Sequence, residues 1–248
     1  MYLKALSLKN FRNYERIELE FNKDFNILYG FNGQGKTNIL EAIFVCASGR
    51  SHRTSKDMEL IRFDGNEYNI KADVKRTDSS VTIEIIYEKN TKKKIRLNGI
   101  PVKKVGSLMG NLNAVMFSPE DLMTIKEGPS ERRRFIDITM SQLKPSYFFD
   151  LQQYARILAQ RNNLLKEIEK NKSLTGTLDI WDENLVKTGS RIIKKRHEFL
   201  SKLKNLAKEK HLSLTDGSEV LDIKYVPSFS IKDLEEEKEI ESAFLNML

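Results

Sequence analysis

Leu6 and Leu8 alternate with Ser7 and Lys9, the period-two spacing of a strand with one buried face. Ile17, Leu19 and Phe21 repeat the pattern after Arg12-Asn13-Tyr14, which reads as a turn. Residues 25–29 predict a third short strand that runs straight into glycines. From Thr37, the apolar positions Ile39, Leu40, Ile43 and Phe44 fall at helical spacing, and Ser48-Gly49 marks the helix end. A polar loop covers 50–57, and alternating strands follow at 68–75 and 81–87. Residues 93–97 form another, and Asn98-Gly99 is the dipeptide that favours a tight hairpin. Residues 113–117 predict one more strand, bounded by Ser118-Pro119.

Beyond Pro129 the period changes from two to 3.6. Residues 145–170 carry Phe148, Leu151, Tyr154, Leu158 and Leu165 near one helical face. Residues 177–210 do the same with Trp181, Leu185, Ile192 and Phe199, with a mild break expected at Gly189. Residues 220–226 return to strand spacing. The pattern therefore predicts two parts, an α/β lobe over 1–128 and a mainly α-helical lobe over 129–248. No internal repeat or low-complexity linker separates them.

Composition narrows the class. The chain has 248 residues, 40% of them hydrophobic, which is ample for a folded core. No apolar run reaches the roughly 18 residues that span a bilayer, and charges at Lys4 and Lys9 break up any signal-peptide pattern, so a soluble cytoplasmic protein without membrane partners is expected. A single cysteine, Cys46, excludes an intramolecular disulfide, and three histidines make a metal cluster an unpromising reading. The net charge of +7 is compatible with a polyanionic partner. It is unevenly spread: a surplus of +6 over 50–104, +7 over 187–210, and −4 over 231–248. A solvated helix or hairpin face accounts for each basic run as readily as contact with nucleic acid does.

One motif carries chemistry. Gly30-Phe31-Asn32-Gly33-Gln34-Gly35-Lys36-Thr37 fits G-x-x-x-x-G-K-[ST], the phosphate-binding P-loop. Gly30 and Gly35 permit backbone angles and close approaches that a Cβ forbids. Backbone N–H groups then converge on phosphate at the positive end of the following helix. Lys36 reaches the outer phosphates, and Thr37 offers a hydroxyl to Mg²⁺. An incidental glycine-rich turn lacks the strand before and the amphipathic helix after, both of which are predicted here. The candidate ATP-binding set is Gly30 to Thr37 with Asn38.

The flanking residues add a resemblance. Phe11-Arg12-Asn13-Tyr14, and the run from Gly33 through Asn38-Ile39-Leu40-Glu41-Ala42-Ile43, look like an SMC-class ABC ATPase head. Within that class, Gly49-Arg50-Ser51-His52-Arg53, Phe117-Ser118-Pro119-Glu120-Asp121-Leu122 and Gly128-Pro129-Ser130-Glu131-Arg132-Arg133-Arg134-Phe135-Ile136-Asp137 resemble the RecF family of bacterial recombination mediators. The resemblance covers residues 1 to about 165. It implies an ABC-type ATPase head, a mixed sheet around the P-loop helix, with a mainly helical second lobe. It also implies ATP and Mg²⁺ as cofactors, and places Arg12 near the nucleotide. The 118–121 segment takes the place of the Q-loop, with Pro119-Glu120-Asp121 where a glutamine would stand. As a plain local structure, the same segment reads as a helix start capped by Ser118.

The resemblance further implies duplex DNA and single-strand/duplex junctions as partners, RecR and RecO as protein partners, and an ATP-dependent homodimer that promotes recombinase loading at gaps. In SMC-class heads an arginine in the loop after the P-loop helix touches DNA and couples it to the nucleotide; Arg53 matches it best, with Arg50 and Lys56 beside it. The second catalytic half of an ABC ATPase, an LSxGQ-like loop and an apolar strand ending in Asp-Glu, does not occur. Phe135-Ile136-Asp137-Ile138 and Val220-Leu221-Asp222-Ile223 each lack the second carboxylate. A truncated chain that binds ATP without hydrolysing it alone is the expectation. Two rivals remain. A transporter ATPase subunit would carry a Q-loop glutamine and LSGGQ; an interaction module with a vestigial P-loop would have no need to keep Lys36 and Thr37 together.

Overall fold

The structure, a computed structural model, describes residues 1–122, 126 and 128–248, and of Glu120 and Leu122 the backbone alone. Strand β1 (Tyr2–Phe11) turns at Arg12 and Asn13 into β2 (Tyr14–Glu20). Four more strands, β3 (Glu67–Lys75), β4 (Ser80–Glu88), β5 (Lys94–Leu97) and β6 (Ile100–Val102), complete an antiparallel sheet of order β2-β1-β3-β4-β5-β6. Cross-strand pairing lines up the apolar set predicted by alternation: Leu8 faces Ile17 and Ile70, Ile70 faces Ile85, and Ile85 faces Ile95. Leu8, Ile70, Ile85 and Ile95 of that row are buried and Ile17 at its edge is half-buried, while the other face keeps polar partners such as Asn69 with Glu84 and Asp73 with Thr82. Both residues of the Asn98-Gly99 turn have positive φ, 51° and 78°, as a type I′ hairpin requires.

Helix α1 (Lys36–Ser48) covers the apolar face at β3 and β4, burying Ile39, Ala42, Phe44, Val45, Cys46 and Ala47. It ends as its sequence predicts. Gly49 adopts a left-handed φ of 74° and returns its N–H to the Val45 carbonyl at 2.8 Å. Burial pushes the Cys46 thiol up to about 12, so the only cysteine stays an unreactive core residue.

Three predicted strands do not form. Residues 25–29, 113–117 and 220–226 carry no strand ladder among the described residues. Their alternation is intact, but a strand is a paired state and not a property of one segment. Phe25, Ile27 and Tyr29 are 76%, 69% and 90% exposed, and Val115 and Phe117 are also out in solvent. At 113–117 a side chain substitutes for a neighbouring strand. Gln142 accepts the Ala114 N–H at 2.7 Å and donates to the Ala114 carbonyl at 3.2 Å.

The chain divides after Pro145 into two units. Helix α2 (Pro129–Leu143), with proline at its start, goes with the sheet unit, one helix beyond the change of character that the pattern marks at 128. The second unit holds α3 (Pro145–Ile168), α4 (Leu178–Leu214) and α5 (Glu237–Leu245), around a core of Ile157, Leu185, Val186, Ile193, Ile240 and Phe244. Helix α4 runs unbroken for 37 residues, so the expected break at Gly189 is absent. Glycine is there for space: a Cβ would lie 2.2 Å from the Phe244 ring and 3.0 Å from that of Tyr154.

Candidate nucleotide-binding site

Within the sheet unit, the P-loop is an exposed surface loop that enters α1. Gly30, Gly33 and Gly35 have φ of 135°, 80° and 94°, conformations that L side chains rarely adopt. Gly35 caps α1 with no side-chain cap; its carbonyl accepts the Asn38 N–H at 2.8 Å, and the N–H groups of the helix start ahead of Asn38 suit an anion. Lys36 Nζ donates to the carbonyls of Gly30 and Phe31, both at 2.7 Å, folding the loop around its own ammonium. These acceptors are neutral, and a phosphate oxygen is a stronger one.

The back of the loop rests on the β1–β2 turn. Tyr14 Oη donates to the Gln34 carbonyl at 3.1 Å, and Asn13 reaches the Gly33 carbonyl at 3.5 Å. A Cβ on Gly35 would meet Asn13 Oδ1 at 2.5 Å. Asn13 Oδ1 itself accepts from Asn38 Nδ2 at 2.8 Å.

Deeper in α1 lies a residue the sequence reading passed over. Glu41 is wholly buried and accepts from three side chains. Arg12 binds it in bidentate fashion, Nε at 2.9 Å and Nη2 at 2.7 Å; Ser51 Oγ donates at 2.5 Å; Arg53 Nη1 lies at 3.4 Å. Burial drives its pKa up, but the hydrogen bonds from Arg12 and Ser51 and the two guanidinium charges outweigh that and hold it below the ordinary carboxylate value. Its signal was present in the sequence: a carboxylate three and four places before the core residues Phe44 and Val45 sits on the buried face and demands partners.

This network locates the other candidates. Arg12, at φ 54°, uses its donors on Glu41 and on the Glu59 carbonyl at 2.8 Å. Arg53, placed by resemblance on the DNA side, donates to Asn38 Oδ1 at 3.1 Å, within the first turn of α1. Arg50 is exposed, and the Lys56 ammonium pairs with Glu59 at 3.8 Å. Asp121 accepts the Ser118 N–H at 2.6 Å and its hydroxyl at 3.0 Å, so the Ser118 hydroxyl donates to the carboxylate rather than capping the helix start as expected; the Glu120 side chain lies outside the described residues. A cavity of about 440 Å³ between Phe44, His52, Val115 and α2 residues Arg134 and Phe135 is lined by none of the P-loop residues.

A Mg²⁺ ion fits this donor set only together with phosphate. Among the described residues no group of three or more His, Cys, Asp or Glu could hold a metal alone, and Thr37 is exposed at the first turn of α1. Mg²⁺ commonly takes one or two protein ligands and completes its shell with phosphate and water.

Comparison with known proteins places the chain. The family model described as an AAA domain matches residues 5–247. DNA replication and repair protein RecF of Acetivibrio thermocellus is 54% identical over 248 residues, covering 100% of this chain and 67% of its own length. That of Ruminiclostridium cellulolyticum is 51% identical, with the same coverage. Among solved structures, the recombination mediator protein RecF-ATP in the RecFOR pathway superposes with a TM-score of 0.94 at 41% identity, over 100% of this chain and 66% of that one. The chain thus spans about two thirds of the length of the proteins it matches. On sequence and fold together, it belongs to the RecF family.

Proposed function

We propose that this chain is the ATP-binding part of a RecF-type DNA replication and repair protein, acting in the cytoplasm. ATP·Mg²⁺ binds at residues 30–38, with Lys36 on the outer phosphates and Thr37 holding the ion. The carrying observation is the start of α1 at Gly35, which no side chain caps, together with the Lys36 ammonium held on the Gly30 and Phe31 carbonyls of a loop that the β1–β2 turn contacts from behind. Bound nucleotide closes a pair of heads, the pair grips duplex DNA beside single-stranded gaps, and RecR and RecO couple it to recombinase loading. Loop residues Arg50, Arg53 and Lys56 supply phosphate contacts. The chain spans about two thirds of its relatives' length, and ATP binding is the step assigned to it. Support comes from the P-loop geometry and from the family. Among the described residues, no helix is long and apolar enough to cross a membrane.

Titration calorimetry with Mg·ATP tests the first step. Lys36→Met removes a charge-assisted bond to phosphate worth about 1.5–3 kcal/mol, a loss of roughly tenfold or more in affinity. Equal affinity in the variant and the parent overturns the assignment.

A further inference from the structure

Two Asn-Gly dipeptides occur in the chain, Asn32-Gly33 in the P-loop and Asn98-Gly99 in the β5–β6 hairpin. In this pairing an asparagine loses its amide most readily, because glycine has no Cβ to keep its backbone nitrogen from the preceding side-chain carbonyl. The fold treats the two differently. At the hairpin, Asn98 Oδ1 accepts the Thr82 N–H at 2.8 Å and the Asn98 N–H donates to the Thr82 carbonyl at 2.8 Å, so the side chain is engaged with the neighbouring strand. In the P-loop, Asn32 and Gly33 are both exposed in a turn. Among the described residues, neither the Asn32 side chain nor the Gly33 N–H has a hydrogen-bond partner. A Cβ on Gly33 would meet nothing within 4 Å, so the space around this dipeptide is open.

We propose that Asn32 is a self-modification site, whose reaction bound nucleotide blocks and whose product disables the nucleotide site. The Gly33 nitrogen attacks Asn32 Cγ. The new N–C bond closes a succinimide as the Cγ–Nδ2 bond breaks, and Nδ2 leaves as ammonia, taking the Gly33 proton. Water then opens the ring at either carbonyl to give aspartate or isoaspartate, and nothing is oxidised or reduced. Protection by nucleotide rests on the P-loop reading, in which the backbone N–H groups of the loop point at phosphate. A Gly33 N–H given to a phosphate oxygen is no longer a free nucleophile. The product carboxylate follows directly on Phe31, whose carbonyl Lys36 Nζ touches at 2.7 Å, and there it competes with phosphate for that ammonium. Isoaspartate also lengthens the backbone by a methylene group and displaces the N–H groups that follow.

Peptide mapping by mass spectrometry tests this on the unmodified chain, aged in mildly alkaline buffer with and without Mg·ATP. Freeing Asn98 from Thr82 costs one hydrogen bond, so Asn32 should convert about two- to tenfold faster than Asn98. Mg·ATP at about ten times its Kd leaves roughly one chain in eleven unliganded, and should slow Asn32 about tenfold while Asn98 keeps its rate as the internal control. In calorimetry of the aged chain, the fraction of sites that bind Mg·ATP tightly should fall in step with the fraction of Asn32 converted. Asn32→Asp, made directly, should bind about tenfold or more weakly than the parent. Conversion no faster at Asn32 than at Asn98, an Asn32 rate that Mg·ATP leaves unchanged, or undiminished binding by Asn32→Asp overturns the proposal. Lys36→Met keeps it apart from the P-loop reading. If that variant, freshly purified, binds Mg·ATP like the parent, the P-loop assignment fails and nucleotide protection with it. If it binds weakly while Mg·ATP leaves the parent's Asn32 rate unchanged, only the protected modification fails.

Discussion

The loop after α1 and the long helix α4 both stand out as basic in the sequence, yet the fold treats their charges in opposite ways. On α4, Arg191 and Lys195 share Asp150 of α3 at 3.2 and 2.7 Å, Lys194 approaches Glu237 of α5 at 3.8 Å, and Lys204 meets Asp222 at 2.7 Å. The acidic tail, remote in sequence, thus folds onto the basic helix. In the loop, Arg50 has no ion pair among the described residues, Lys56 has one distant partner, and Arg53 shares a carboxylate already taken by Arg12. A surplus counted over a stretch of sequence is therefore not a surface field. It becomes one only where folding brings no opposite charge to it.

Breaking the neutralisation on α4 should give the largest effect. Asp150→Ala strips Arg191 and Lys195 of a carboxylate whose side chain is only 13% exposed, and should cost about 2–3 kcal/mol of stability. Chemical denaturation followed by circular dichroism measures it, and a loss under about 0.5 kcal/mol would make these pairs surface decoration. Next comes the contrast in DNA binding. Replacing Arg50 and Lys56 together by Ala should flatten the dependence of log affinity on log salt by about two units, as two phosphate contacts disappear. Replacing Lys204 and Lys210 should leave that slope alone. Fluorescence anisotropy with duplex DNA at several salt concentrations compares the two, and the reverse outcome would move the DNA face to α4.

The smallest expected effect is on pH. The folded-state pKa of Glu41 lies below its ordinary value of 4.5, so its contribution to stability is complete above that value and is lost as pH falls through the lower folded one. The stability gap between the parent and Glu41→Gln should accordingly be constant near neutrality and narrow under acid conditions, as read by denaturant titrations from pH 7 to pH 3. A gap that widens on acidification would mean the carboxylate is not the anchor of this loop.

What was legible in the sequence depended on whether a residue's partner was implied by the same stretch. The strands β1 to β4 were readable because each alternating segment has an alternating neighbour at hairpin distance, and α1 because its glycine start and Gly49 stop are written in consecutive residues. Residues 25–29 and 113–117 have the same alternation without a neighbouring strand, so the pattern overstated them. The phosphate-facing glycines, Lys36 and Thr37 were visible as a fixed spacing. Glu41 was not singled out, since Arg12 and Ser51 come to it from 29 and 10 residues away. Likewise, Asp150 lies 45 residues from Lys195, and no charge window of ordinary width joins them.

The close fit between Gly35 and the β1–β2 turn changes what each position in the P-loop can record about selection. At a φ of 94°, and with Asn13 and Tyr14 side chains close by, any side chain at 35 is strained whether or not a nucleotide ever binds, so the fold alone favours this glycine. Its presence is uninformative about use. Lys36 and Thr37 face no such constraint: the lysine ammonium touches only carbonyls of its own loop, and the threonine is exposed. In a lineage that had abandoned nucleotide, those two would be free to drift while Gly35 stayed, and the memory of ATP in this fold is therefore stored in the pair that follows the glycine.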